Sequence, residues 1–339
     1  MKKHILLLTT GGTIASAPSE DGGGLVPAVS GQGLADLMRP VSGLYDITVR
    51  EILHLDSSNI QPEEWKVIAR SVFEARDSYD GIVITHGTDT MAYTASVLSF
   101  MLENISLPVV VTGSQLPLMH PLSDALENLR CALAMAASGK PGIFVAFNRK
   151  IILGTRAVKV RTMGFDAFES VNCPPVGRID SQGLILEESL LRRPKGPCVL
   201  HEELGVNTFL IKLTPGLNPE IFDMLLKMNY KGIVIEAFGA GGLHYIHRDL
   251  IAQLKRVTDA GIAVVACSQC LYERSDFSIY ETGKLALEQG LIPAYDMTTE
   301  ACVTKLIWAL GQTQDPEEIR AIFARSYAGE ITPEEDETP

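Results

Sequence analysis

The chain has 339 residues, with 41 acidic against 29 basic side chains, a formal net charge of −12 and 46% hydrophobic residues. That length excludes a single small module, and the acidic balance argues against nucleic acid as a ligand. The uninterrupted apolar runs, such as Ile5-Leu6-Leu7-Leu8, fall far short of the roughly 18 to 20 residues a membrane span needs.

The first element, Met1-Lys2-Lys3-His4 followed by that apolar run, ends at Thr9, Thr10 and two glycines. Its apolar part is shorter than the roughly 7 to 15 residues of an export signal, so it reads as a strand over 4–10. Further strands are expected over 47–53, 81–85, 108–112 and 142–147, each nearly continuous in Val, Ile and Leu, as in a parallel sheet covered on both faces. Helices are expected between them. The stretch 62–78 opens with Pro62, Glu63 and Glu64, favoured in a first helical turn, and Trp65, Ile68, Ala69, Val72 and Phe73 follow the helical period. The same period predicts helices over 90–104 and 123–138.

After Asn148 the pattern breaks into short pieces rich in Gly, Pro and charge, and this marks a boundary region. A second series follows, with strands over 208–213, 232–238 and 262–267 and helices over 219–228, 248–260, 298–310 and 316–325. The expected class is α/β in two domains: a larger N-terminal Rossmann-like, mostly parallel sheet over 1–190, a linker over 191–206, and a smaller flavodoxin-like α/β domain over 207–339. The acidic tail over 334–339 is expected to fray. Six cysteines at 131, 173, 198, 267, 270 and 302 lack the spacing of a disulfide framework, which suits a reduced cytoplasmic chain. The single Cys267-x-x-Cys270 has no second pair to complete a zinc site, so no metal is expected.

Chemistry concentrates where strands end. Thr10-Gly11-Gly12-Thr13 follows the first strand and His86-Gly87-Thr88-Asp89 follows the third, both where open α/β sheets bind ligands. The first loop has neither the Gly-Lys-Ser/Thr ending of a phosphate loop nor a G-x-G-x-x-G spacing. Helix capping alone accounts for Thr88 or Asp89, and His86 taken singly reads as a packed scaffold histidine. A threonine hydroxyl becomes a nucleophile when a nearby base takes its proton, and Lys159, beyond the fifth strand, lies where a hairpin could return it to the sheet edge.

Two segments, Thr10-Gly11-Gly12-Thr13-Ile14-Ala15 and Gly81-Ile82-Val83-Ile84-Thr85-His86-Gly87-Thr88-Asp89-Thr90-Met91, resemble the signatures of the bacterial L-asparaginases. The likeness extends through Asp56-Ser57-Ser58, Thr112-Gly113-Ser114-Gln115, Gly164-Phe165-Asp166-Ala167-Phe168, Asp296-Met297-Thr298 and Gly329-Glu330-Ile331-Thr332-Pro333, and the ending resembles the cytoplasmic, type I branch. The resemblance implies hydrolysis of L-asparagine to L-aspartate and ammonia without cofactor or metal, in a homotetramer of close dimers or a homodimer. By position it implies Thr13 as nucleophile, Thr88, Asp89 and Lys159 as the set that polarises the reacting groups and activates water, and Asp56, Ser57, Ser58, Gly12 and Ser114 as substrate-binding residues. Backbone N–H groups near Thr88 would face the developing oxyanion.

Three departures from the family pattern bear on this. The first-loop tyrosine of most members is missing, since no tyrosine precedes Tyr45, so Glu20, Asp21, Thr88 or a water chain would have to supply its function as the glycine-rich segment closes. Asn59 stands where members often have Asp. Some type I relatives bind asparagine at an effector site between subunits; Cys270 falls at one position of that site, but Glu236 replaces its arginine, which implies hyperbolic kinetics. The competing readings are a broad glutaminase-asparaginase and a catalytically silent amino-acid sensor. The amidotransferase subunit acting on misacylated Glu-tRNA shares the signatures but resembles this chain plus an added N-terminal domain.

Overall fold

The computed structural model describes residues 2–12, 16–18, 25–27 and 43–333, in two compact units. The first comprises Met1–Ser170 and Pro174–Glu202, the second Val171–Cys173 and Glu203–Pro339. The division after Glu202 falls inside the stretch expected as a linker. Residues 191–202 stay with the first unit because the short strand Val199–Leu200 pairs antiparallel with Leu102–Glu103. The tail 334–339 lies outside the described residues.

Along the first unit the strands are β1 (Lys3–Gly11), β2 (Ser16–Pro18), β3 (Leu25–Pro27), β4 (Tyr45–Leu55), β5 (Gly81–Thr85), β6 (Leu102–Glu103), β7 (Pro108–Thr112), β8 (Gly142–Phe147), β9 (Lys150–Leu153), β10 (Ala157–Lys159), β11 (Phe168–Ser170), β12 (Gly177–Asp180), β13 (Gly183–Leu186) and β14 (Val199–Leu200). Eight of them form one sheet in the order β13-β12-β9-β8-β7-β5-β1-β4. The pairs β4/β1, β1/β5, β5/β7 and β7/β8 are parallel, and β9, β12 and β13 extend the sheet antiparallel. The parallel strands therefore stand in the order second, first, third, fourth, fifth. The chain leaves β1 for one neighbour and returns to pair its other side with β5, so the strand order reverses beside β1. Ile82, Val83 and Ile84 of β5 and Val109, Val110 and Val111 of β7 have no exposed surface, the condition that favours unbroken Val/Ile runs.

Helices connect these strands. Pro62–Ala75 starts with proline and two glutamates, and Glu64 accepts a hydrogen bond from the Gln61 amide at 2.9 Å. Its stripe of Trp65, Ile68, Ala69 and Val72 is buried, and the helix packs against Met91–Met101. The third helix, Ala125–Ala136, lies over β5, β7 and β8 so closely that a Cβ on Gly81 would sit 2.0 Å from the Ala136 carbonyl oxygen. The expected helix over 90–104 stops at Met101, because Leu102–Glu103 joins a strand pair and Asn104 turns left-handed at φ 56°.

The second unit has four parallel strands, β15 (Thr208–Lys212), β16 (Gly232–Ala237), β17 (Ala263–Ser268) and β18 (Ile292–Pro293), in simple chain order. Helices Glu220–Lys227, Leu250–Asp259, Glu281–Glu288, Thr299–Gln312 and Pro316–Phe323 accompany them. Phe222, Leu225, Leu250, Leu254 and Val257 close over Ile233, Ile235 and Val264, each such side chain contributing about 1.5 to 3 kcal/mol through burial. Within this unit lies an ion pair without exposed surface: Lys305 Nζ donates to Glu330 Oε1 at 2.6 Å and to the Arg325 carbonyl at 2.6 Å. Glu330 also accepts from the amides of Tyr327 and Ala328 at 2.9 and 2.7 Å, and the Phe323 and Tyr327 rings stand 5.3 and 5.2 Å from the ammonium. Among the described residues no helix is long and apolar enough to cross a membrane.

Candidate active site

The first ligand loop begins with a break in pairing: β1 shifts register against β4 between Thr9 and Gly11. Gly11 and Gly12 then adopt φ of 101° and 79°, the left-handed region that side chains resist. Space requires glycine as well. A Cβ on Gly11 would lie 2.5 Å from the Leu55 carbonyl oxygen, and one on Gly12 would lie 2.5 Å from the Gly87 nitrogen. The loops following β1 and β5, separated by more than seventy positions in sequence, are thus in backbone contact. Thr13, Glu20 and Asp21 lie outside the described residues.

A third segment joins them. Asp56-Ser57-Ser58 follows β4, and a Cβ on Gly87 would sit 2.5 Å from the Ser57 hydroxyl. Ser57 is buried; its Oγ accepts from the Asp89 amide at 3.3 Å and its carbonyl accepts from the Thr90 hydroxyl at 2.7 Å. Asp56 is exposed and accepts from the Ser58 hydroxyl and amide at 2.5 and 2.8 Å. These two bonds, the hydroxyl first, outweigh partial burial and hold its carboxyl below the usual carboxylate range. It is an anion at neutral pH, with the charge needed to receive an ammonium group.

Lys159 ends β10, a strand of the separate antiparallel ribbon β10–β11, and is paired there with Phe168. Its ammonium donates to Thr88 Oγ1 at 2.8 Å and to Asp89 Oδ1 at 2.6 Å. Thr88 is 7% exposed, while the side chains of Lys159 and Asp89 are 17% and 63% exposed. Amine and hydroxyl therefore sit inside, with the carboxylate at the mouth. The fourth partner is Gln115, which sequence reasoning placed in a matching segment without a role. Its Nε2 donates to the carbonyls of Thr162 and Gly164 at 3.1 and 3.0 Å, which turns Oε1 toward Thr88 to accept from that hydroxyl at 3.3 Å. Asp124 accepts from the Gln115 and Leu116 amides, each at 3.1 Å, and fixes this loop from behind. The available signal was position: Gln115 follows β7, another carboxyl end of the same parallel set. Ser114, expected to bind substrate, is buried and commits its hydroxyl to the Leu116 carbonyl at 2.6 Å.

His86 is fully buried beneath this cluster. Its Nδ1 donates to the Gly87 carbonyl at 2.7 Å, and its Nε2 lies 2.9 Å from the Thr94 hydroxyl, which also accepts from the Trp65 indole at 3.1 Å. Burial pushes the ring down to about 4 against the opposing effect of the Gly87 bond, so it is neutral at physiological pH. Of the sequence-nominated residues, Gly12, Ser57, Thr88, Asp89 and Lys159 are brought together with Gln115, and Asp56 and Ser58 adjoin them.

A doubly wound sheet bearing a hydroxyl, an amine and two carboxylates beside its strand-order reversal has the architecture of a small-molecule α/β enzyme. Comparison with known proteins defines it further. Residues 4–192 match the family model described as asparaginase, N-terminal, and residues 207–323 match that of the glutaminase/asparaginase C-terminal domain. The chain belongs to the asparaginase family. It is 49% identical over 330 residues to an L-asparaginase of Thermococcus kodakarensis, covering 97% of this chain and 99% of that one. It is also 39% identical over 339 residues to a glutamyl-tRNA(Gln) amidotransferase subunit of Pyrococcus furiosus, covering 97% and 77% of the two chains. The crystal structure of L-asparaginase I from Vibrio cholerae superposes with a TM-score of 0.87 at 34% identity, covering 98% and 100%. The first two relatives are archaeal, so the family membership stands without the expected restriction to a bacterial branch.

Proposed function

We propose that the chain hydrolyses L-asparagine to L-aspartate and ammonia. The Thr13 hydroxyl attacks the side-chain amide carbon; the C–N bond breaks, ammonia leaves, and a β-aspartyl ester on Thr13 remains. Water then cleaves the ester and restores the hydroxyl. In this reading Thr88, Asp89 and Lys159 polarise the amide and orient the water, while Asp56 takes the substrate's α-ammonium and Ser57 and Ser58 its carboxylate. The observation that carries the reading is the packing of Gly12, the sequence neighbour of Thr13, against Gly87, the sequence neighbour of the Thr88–Lys159–Asp89 cluster. The two L-asparaginases named above support the substrate, and the likeness to L-asparaginase I supports the type I branch; a cytoplasmic homotetramer or homodimer is what the family resemblance of the sequence implies.

Ammonia release from asparagine and glutamine by the purified protein tests this, beside a Thr13→Ala variant. Asparagine is expected to be turned over and the variant to fall to background; an active Thr13→Ala would remove Thr13 as nucleophile. Comparable rates on both amides would favour the broad glutaminase-asparaginase, since one methylene in a pocket discriminates by only about 1 to 3 kcal/mol. Binding without release would favour a sensor.

The rate is also expected to be hyperbolic in asparagine. Glu236, where the resemblance implies arginine in the regulated relatives, is held by Lys212 at 3.3 Å and accepts from the Thr299 hydroxyl at 2.7 Å. A fixed carboxylate there repels the carboxylate of an amino-acid effector. A Hill coefficient clearly above one would overturn this.

A further inference from the structure

The chain of hydrogen bonds behind Gly87 has no part in the mechanism above, yet each of its protons has a determined place. The Trp65 indole only donates, so Thr94 Oγ1 accepts from it. The Gly87 carbonyl only accepts, so His86 Nδ1 carries the ring proton. A neutral imidazole with Nδ1 protonated has a bare Nε2, and the Thr94 hydroxyl therefore donates to it. Trp65, Thr94 and His86 are 6%, 0% and 0% exposed, so water does not compete for these bonds.

The bonded carbonyl has a second consequence. Gly87 C=O and Thr88 N–H belong to one planar trans peptide, in which the two dipoles point in opposite directions. Holding the carbonyl at 2.7 Å from the histidine fixes the direction of the amide on the far side. The residue beneath is fixed too, since the His86 amide donates to the Thr112 carbonyl at 2.8 Å. Gly87 itself is wedged between Gly12 and Ser57, and Thr88 carries the hydroxyl that Lys159 touches.

We propose that Trp65, Thr94 and His86 form a positioning relay that locks the Gly87–Thr88 peptide with the Thr88 N–H aimed at the oxygen of the reacting carboxamide. The assignment rests on the amide-hydrolysis reading. The three residues touch no substrate; they act by preventing rotation of one peptide, so that a backbone donor meets the developing oxyanion without reorganising.

Thr94→Val removes the hydroxyl at nearly constant shape, leaves His86 Nε2 without a donor and frees the ring to exchange tautomers. Loss of an oxyanion donor costs about 100- to 1,000-fold, and a donor left in place but poorly aimed is expected to lower kcat about 10- to 100-fold. KM should change less than about twofold, because the interaction grows only in the transition state. Thr94→Ser should recover kcat to within about threefold. An unchanged kcat in Thr94→Val, a loss confined to KM, or a serine variant as impaired as the valine variant would each overturn the relay. Nitrogen-15 NMR of the histidine rings in the wild-type protein gives a readout that needs neither turnover nor a folded variant. The relay requires His86 as the Nδ1–H tautomer between about pH 5 and 8, and an Nε2–H tautomer would refute it. A wild type that releases no ammonia would overturn the proposed function and the relay's role with it, whereas a wild type that hydrolyses asparagine with His86 as the Nε2–H tautomer would overturn the relay alone.

Discussion

Thr88→Val is expected to lower kcat toward asparagine by about two to four orders of magnitude, the range in which positioned proton-transfer groups contribute. Valine reproduces threonine's shape without its oxygen, and that oxygen is engaged on both sides: it accepts from Lys159 at 2.8 Å and donates toward Gln115 at 3.3 Å. Without it the ammonium keeps only Asp89, at the exposed edge, and charge is drawn away from the reacting atoms. The same substitution leaves Gln115 Oε1 without its donor, a cost to stability of about 1 to 3 kcal/mol for an unsatisfied polar group. Melting temperature separates the two effects, because such a loss leaves most molecules folded at assay temperature. Thr88→Ser should retain most of the rate. Steady-state kinetics with full wild-type turnover in Thr88→Val would show that the cluster does not perform the chemistry.

The largest expected effect on stability lies in the other unit. Lys305→Met leaves Glu330 as a buried charge without its counterion and should destabilise the protein by roughly 3 to 5 kcal/mol. Burial alone would raise the Glu330 carboxyl, but the Lys305 charge, its hydrogen bond and the amides of Tyr327 and Ala328 together hold it below the ordinary glutamate range. A depressed folded-state pKa fixes the sign of the pH dependence. The stabilisation is complete above the ordinary glutamate value and is lost as acid titrates the folded carboxylate. Thermal melts from neutral pH downward should show the wild type losing stability in that acidic range, with Lys305→Met showing less of this loss. The double variant Lys305→Met, Glu330→Leu should regain much of what the single variant loses, since removing both charges removes the uncompensated one. A single variant as stable as wild type would mean that water reaches the pair.

These two clusters show how much the sequence disclosed. Strands β5, β7 and β8 were legible to the residue, because buried strands of a parallel sheet are nearly continuous apolar runs, here opened by Gly81, Pro108 and Gly142. The strands from β9 to β13 were not legible, being three or four residues long with Gly, Pro and charge between them, too short for a period to register. Strand Ile292–Pro293 escaped for the same reason, and helix Glu281–Glu288 because Thr282 and Gly283 in its first turn read as loop. Thr88 and Asp89 could be nominated because they directly follow a legible strand. The contact of Lys159 with Thr88, across a separation of 71, depends on a ribbon that periodicity does not reveal. His86 read as a scaffold residue on its own; its link to Trp65 and Thr94 needs the packing of two helices that no local pattern encodes.

Because Lys159 stands on the ribbon β10–β11 and Thr88 follows a strand of the main sheet, the two sides of their contact belong to separately supported pieces of backbone. Lengthening or shortening the turn at residues 160–167 would shift the height of the amine over the crevice while leaving the central hydrophobic strands untouched. Such an arrangement lets changes in that turn move the amine relative to the sheet, within the bounds set by buried Ala167 and by the Thr162 and Gly164 carbonyls that hold Gln115.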